Sequence, residues 1–229
     1  MLIKGLQKTT LLDYPSKVAS TIFTGGCNFR CPFCHNASLV TRIDPDEVLS
    51  EEYVLSFLTK RNGILDGVCI TGGEPLLQPD IIEFCKKIRE LGLLIKLDTN
   101  GSRPEELKRL IELGLVDYIA MDIKNSKELY ARTCGLSQFP DGVEESVKII
   151  MSANIPYEFR TTVVRELHTK ESILRLCQWI KGADRYYLQG FKDSSNLIED
   201  GYSAYSESEM RELLNIAKSI IPSAELRGI

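Results

Sequence analysis

Residues 24–36 read Thr24-Gly25-Gly26-Cys27-Asn28-Phe29-Arg30-Cys31-Pro32-Phe33-Cys34-His35-Asn36, and the rest of the chain is organised around them. They follow an apolar run, Val18–Thr24, with the composition of a strand. Cys27, Cys31 and Cys34 stand in a C-x3-C-x2-C pattern. Three thiolates so spaced in a tight loop can hold three irons of a [4Fe–4S] cluster and leave the fourth iron open to a small molecule. Gly25 and Gly26 permit a sharp turn into the loop, Pro32 stiffens it, and Phe33 sets an aromatic face beside the third cysteine. The three cysteines with His35 also suit a Cys3His zinc site, although zinc loops favour paired C-x2-C spacings.

Outward from this loop, strand-like and helix-like patterns alternate. Apolar runs at Val68–Thr71, Leu93–Asp98, Val116–Ile123, Tyr157–Val164 and Arg185–Gln189 predict strands. Helical patterns cover 50–60, 80–91, 104–113, 141–153, 171–181 and 207–220. Ser50 suits an N-cap with Glu51 and Glu52 in the first turn, and Ser102, Pro104 and Gly114 punctuate the third of these helices. Turn residues fill 37–49. The N-terminal GLQKTTLLDYP, Gly5–Pro15, reads as a short strand ending in a polar turn, and Ala224–Ile229 as an edge strand. Strand–helix alternation predicts an α/β fold with a parallel sheet and outer helices. About six βα units fall short of the eight that close a TIM barrel, so the expected architecture is an open partial barrel, (β/α)6, forming one domain over residues 1–229.

Chemistry in such folds gathers at the C-terminal ends of the strands, where this sequence puts its unusual polar residues. One strand ends in Thr71-Gly72-Gly73-Glu74-Pro75, where two glycines allow a ligand close to the backbone or simply make a turn. The next ends in Asp98-Thr99-Asn100-Gly101, a turn sequence whose aspartate is placed to meet an ammonium group or a metal cation. In Met121-Asp122-Ile123-Lys124, alternation puts Asp122 and Lys124 on one face, as an ion pair or as ligands. Arg160 in the fifth strand needs a carboxylate partner, Asp122 or one from a ligand, and Gln189 ends the sixth. His168 is expected as an exposed loop histidine, and Cys69, Cys85, Cys134 and Cys177 as buried small hydrophobes.

The 229 residues carry a net charge of −4 with no basic stripe, which argues against a nucleic-acid partner. Without a signal-like N-terminus or an apolar run of spanning length, the expected location is the cytoplasm, away from membranes. Seven cysteines, an odd number, argue against a disulfide framework.

Taken together, CNFRCPFCHN, TGGEP, DTNG, MDIK and the early DYP resemble the radical S-adenosylmethionine (SAM) superfamily, in particular the glycyl-radical-enzyme activases, and among these the activating proteins of anaerobic class III ribonucleotide reductase. The resemblance implies a [4Fe–4S] cluster on Cys27, Cys31 and Cys34. It implies a SAM seat formed by Phe33, Gly72, Gly73, Glu74, Asp98, Asn100, Asp122, Lys124, Arg160 and Gln189, with a monovalent cation near Asp98 and Asp122. Gln189 stands where pyruvate formate-lyase activase has a ribose-contacting histidine. No side chain is implied as a general base. The implied reaction is reductive SAM cleavage and hydrogen abstraction from a glycine Cα of a partner enzyme, with a flavodoxin or ferredoxin as electron donor. A pyruvate formate-lyase-type activase, a radical SAM enzyme acting on a small molecule, and a non-catalytic metal module are the alternatives.

Overall fold

The computed structural model describes residues 1–41, 44, 47–193 and 197–229. Its eight strands are β1 (Ile3–Thr10), β2 (Ala19–Thr24), β3 (Gly67–Gly72), β4 (Leu94–Thr99), β5 (Tyr118–Asp122), β6 (Tyr157–Val163), β7 (Tyr186–Gly190) and β8 (Ala224–Arg227). They form one sheet in sequence order, with β1 antiparallel to β2 and every later pairing parallel. The helices are α1 (Ala37–Thr41), α2 (Glu51–Lys60), α3 (Ile81–Glu90), α4 (Pro104–Glu112), α5 (Lys127–Cys134), α6 (Val143–Ser152), α7 (Lys170–Trp179) and α8 (Glu207–Ile220). The open α/β partial barrel expected from the alternation is the observed architecture. Its N-terminal strand is longer than expected, at eight residues, and pairs along most of β2.

The two faces of the sheet differ. One face carries Ile22, Ile70, Leu97, Ile119, Phe159 and Leu188, buried in the core. The register places Ile22 beside Ile70, Ile70 beside Leu97, and Leu97 beside Ile119. The intervening positions, of period two, are Cys69 and Thr71, Lys96 and Asp98, Asp122, Glu158, Arg160 and Thr162, and Gln189. Parallel strands covered on both faces read as continuous apolar runs. Here the concave face is polar, which marks it as the working interior.

Ser50 caps α2 as anticipated, accepting a hydrogen bond from the Tyr53 N–H. Ser102 does not cap α4; its hydroxyl donates to Asn28 Oδ1 (3.2 Å), toward the cysteine loop. Helix α5 and the 3-10 turn Pro75–Leu77 were not anticipated. Of the turn expected over 37–49, residues 37–41 are helical and residues 42, 43, 45 and 46 lie outside the described residues. His168 is fully buried, contrary to the exposed position expected of it. It accepts from the Val164 N–H at Nδ1 (3.0 Å) and donates from Nε2 to the Lys124 carbonyl (2.8 Å), tying two strand-end loops together. Burial holds its pKa below the ordinary 6.5, which keeps the ring neutral. The four remaining cysteines are buried as expected.

Candidate functional site

A cavity of about 250 Å³ opens at the C-terminal ends of the parallel strands. Its wall includes Cys27, Cys31 and Cys34 on one side, Gly72 and Gly73 on another, and Asp98, Asn100, Asp122, Lys124, Arg160 and Gln189 across the mouth, with Phe33 beside the thiols. Every residue expected in the site except Glu74 lines this one cavity.

The cysteine loop is held from several directions. The Phe29 N–H donates to Cys27 Sγ (3.4 Å), and Asn100 Nδ2 donates to Cys27 Sγ (3.7 Å) and to Asn28 Oδ1 (3.1 Å). The Arg30 N–H donates to the Cys134 carbonyl at the end of α5 (2.8 Å). Gly135 has a φ of +64°, and a Cβ there would stand 2.3 Å from the Arg30 carbonyl oxygen, so only glycine admits this approach. Burial pushes the Cys27 thiol up to about 11 and raises Cys34, so iron loading must displace protons from both. Cys31 moves the other way, because the Cys134 thiol donates to it. Among the described residues, no three His, Cys, Asp or Glu side chains are gathered closely enough to hold a single metal ion. His35, the proposed fourth zinc ligand, is 2.6 Å through Nε2 from the Lys192 carbonyl and stacks on Phe191. Three thiols on one cavity wall, with N–H donors aimed at sulfur, fit an iron–sulfur cluster better than a closed zinc site.

The glycine pair is explained by backbone proximity. The Gly73 N–H donates to the Thr24 carbonyl and the Glu74 N–H to the Gly26 carbonyl, both at 2.8 Å. A Cβ on Gly73 would lie 2.0 Å from the Gly26 carbonyl oxygen, so the loop after β3 packs main chain to main chain on the cysteine loop. Glu74 departs from its expected role as a cofactor contact. Its side chain is fully buried and accepts from the Leu76 N–H (3.1 Å), Thr99 Oγ1 (2.8 Å) and the Asn100 N–H (2.6 Å). It therefore joins the loops after β3 and β4 behind the cavity. Desolvation pushes its pKa up to about 7 in spite of these donors.

Across the mouth runs a chain of charges. Arg160 bridges Asp122 (Nε to Oδ1, 2.9 Å) and Asp98 (Nη1 to Oδ2, 3.0 Å), Lys124 pairs with Asp122 (3.0 Å), and the buried Lys96 pairs with Asp98. Burial alone would raise both carboxyls, but the adjoining cations hold both below the usual carboxylate range. Asp122 likewise raises Lys124 against the effect of burial. The aspartates are thus met by side chains, and the guanidinium sits between them where a monovalent cation was expected. Lys96 escaped the sequence reading, although a lysine two positions before Asp98 in an apolar strand shares its face. Phe29, Asn36, Val40, Thr71, Thr99 and Thr162 also line the cavity; the first two, Thr71 and Thr99 lie within the motifs without having been singled out, and Val40 and Thr162 lie in none.

The model of the radical SAM superfamily matches residues 21–180. A Methanocaldococcus jannaschii protein assigned as a glycyl-radical enzyme activating enzyme is 32% identical, with 100% of this chain and 96% of that protein covered. The pyruvate formate-lyase-activating enzyme of Clostridium pasteurianum is 28% identical over 78% of this chain and 76% of its own length. Among solved structures, Streptococcus suis SuiB bound to S-adenosylmethionine shares the fold with a TM-score of 0.71 at 17% identity, covering 89% of this chain and 48% of that one.

Proposed function

This chain belongs to the radical SAM superfamily, and from that premise we propose that it is an activase that places a glycyl radical on a partner enzyme, the anaerobic ribonucleoside-triphosphate reductase. The observation that carries this reading is the single cavity uniting the three loop thiols with strand-end residues of three successive motifs, TGGEP, DTNG and MDIK, and with Arg160 and Gln189. The likeness to two activating enzymes supports the activase class. The choice of reductase rests on LLDYP and FTGGCNFRCPFCHN.

When bound, a [4Fe–4S] cluster and SAM supply one-electron cleavage of the sulfonium carbon–sulfur bond. The chain's own residues bind, orient and exclude water. Cys27, Cys31 and Cys34 would hold three irons. Gly72 and Gly73 offer backbone to the methionine amine, with Asp98 nearby. Lys124 and Arg160 provide positive charge for the carboxylate, and Asn100 and Gln189 provide hydrogen bonds. Phe29, Phe33 and Val40 form the apolar wall that keeps water from the reacting carbon. Glu74 is a positioning residue. Residues 1–229 act as one domain, supplied with electrons by a flavodoxin or ferredoxin, in the cytoplasm and without nucleic acid or membrane. No helix among the described residues is long and apolar enough to cross a membrane, and all seven cysteines are free thiols.

The test is anaerobic reconstitution with iron and sulfide, reduction with dithionite, and addition of SAM with and without the reductase. Expected are slow 5′-deoxyadenosine formation by the chain alone and a glycyl radical doublet in electron paramagnetic resonance when the reductase is present. Absence of 5′-deoxyadenosine would sink the enzyme. Cleavage without a radical would move the activity to a different partner or a small molecule.

A further inference from the structure

Helix α5 ends against the cysteine loop, and its last residue is a further cysteine outside the C-x3-C-x2-C pattern. Cys134 is fully buried, and its carbonyl accepts from the Arg30 N–H at 2.8 Å. At Gly135, one position on, any Cβ would strike the Arg30 carbonyl oxygen, so the two segments touch main chain to main chain. The residue after Arg30 is Cys31, one of the three loop thiols, and the Cys134 thiol is hydrogen-bonded to it. A thiol shut away from water keeps its hydrogen, which makes Cys134 the donor and the Cys31 sulfur the acceptor.

The end of α5 is held from three further directions. The Leu136 N–H donates to the Ala131 carbonyl (2.9 Å), closing the helix in a Schellman turn around Gly135, whose φ is +64°. Asn125 Nδ2 donates to Thr133 Oγ1 and to the Leu167 carbonyl, both at 2.8 Å, and so fastens the last turn of α5 to the loops after β5 and β6. The Tyr130 hydroxyl, one turn before Cys134, donates to the Asp122 carbonyl (3.3 Å). The thiol is thus aimed at Cys31 by contacts that lie outside the cysteine loop.

Hydrogen bonds to cluster sulfurs stabilise the added charge of the reduced state and raise the reduction potential. Cys27 takes two such bonds, from the Phe29 N–H and the Asn100 amide. At Cys31 a side chain from a separate helix supplies one.

We propose that Cys134 is a positioning residue for the cluster: its S–H donates to the Cys31 sulfur, holds that ligand against α5 and helps to set the potential at which the cluster takes up its electron. This rests on Cys31 being an iron ligand and is independent of which partner the chain activates. The test is an anaerobic redox titration of the full chain after reconstitution with iron and sulfide, the reduced cluster being followed by electron paramagnetic resonance. Wild type, Cys134→Ala and Cys134→Ser are compared, with Cys85→Ala as a control at an equally buried cysteine on α3. Iron content and melting curves are taken on the same samples. Cys134→Ala should make reduction about tenfold less favourable, a fall of about 59 mV for one electron. Cys134→Ser, whose hydroxyl still donates, and Cys85→Ala should stay within about twofold of wild type. Equal potentials in Cys134→Ala and wild type, or an equal fall in both Cys134 variants, would overturn the proposal. If Cys134→Ala keeps too little iron to titrate, the serine variant decides: a cluster at the wild-type potential upholds the donor, and loss of iron in both reduces Cys134 to packing and overturns it. A wild type without iron–sulfur absorbance would overturn the cluster assignment itself, and the donor with it.

Discussion

Replacing Glu74 by glutamine should flatten part of the pH dependence of stability. Glu74 is fully buried and its pKa stands at about 7, against 4.5 for the ordinary side chain. For a carboxylic acid a raised folded pKa means that the folded state binds the proton more tightly than the unfolded state. Stability is therefore gained as pH falls through about 7 and levels off below 4.5, and it is lost again as pH rises. The difference between 7 and 4.5 corresponds to about 3 kcal/mol at 25 °C. His168 works in the opposite sense, because its lowered pKa stabilises the fold above 6.5 and the benefit fades as pH falls. It is present in both proteins and cancels in the difference. The assay is urea unfolding of the reduced, iron-free chain, wild type and Glu74→Gln, between pH 4.5 and 8. The stability difference between the two should change by about 3 kcal/mol across that range, or about 6–12 °C in melting temperature. A difference constant to within about 1 kcal/mol would refute the reasoning, and with it the view that Glu74 is held as a desolvated acid.

Further outcomes follow from the same contacts. Gly73→Ala drives a Cβ into the Gly26 carbonyl and should cost about 1–3 kcal/mol and lower the iron bound per chain. Gly25→Ala meets only the movable side chains of Lys4 and Leu2 and should do much less, so equal losses in calorimetry and iron analysis would contradict the assignment. Arg160→Met leaves the half-buried Asp98 and Asp122 to Lys96 and Lys124 alone and should cost about 1–3 kcal/mol in urea unfolding, a loss below about 0.5 kcal/mol being incompatible with the bridge. Asn100→Ala removes a donor to Cys27 Sγ and should weaken cluster retention about 10–100-fold in a chelator challenge, with Ser102→Ala milder; retention equal to wild type would dismiss the contact.

Much of the fold and site was legible because their signals are local. The cysteine spacing, the paired glycines and the strand-end aspartates each sit within a few residues, and strand–helix alternation placed them at one end of the sheet. Arg160 was legible as a residue needing a carboxylate, and Asp122 is that partner. What was missed depends on contacts between distant segments. Glu74 looks like a ligand in TGGEP, and only the fold shows its oxygens turned to Leu76, Thr99 and Asn100. His168 looks like a loop residue until β5 and the turn after β6 close around it. Helix α5 has a weak apolar pattern, and its hold on the cysteine loop runs through the Cys134 carbonyl and the absent Cβ of Gly135, which leave no side-chain pattern to read.

The two hydrogen bonds from the loop after β3 to the carbonyls of Thr24 and Gly26 involve no side chain at all. The spacing between the sulfur-bearing loop and the glycine loop is thereby calibrated by peptide groups, like the fixed jaws of a gauge. Substitutions elsewhere around the rim can retune which polypeptide is accepted while the distance between the two jaws is preserved. Selectivity and reaction geometry are in this sense mechanically separate in the chain.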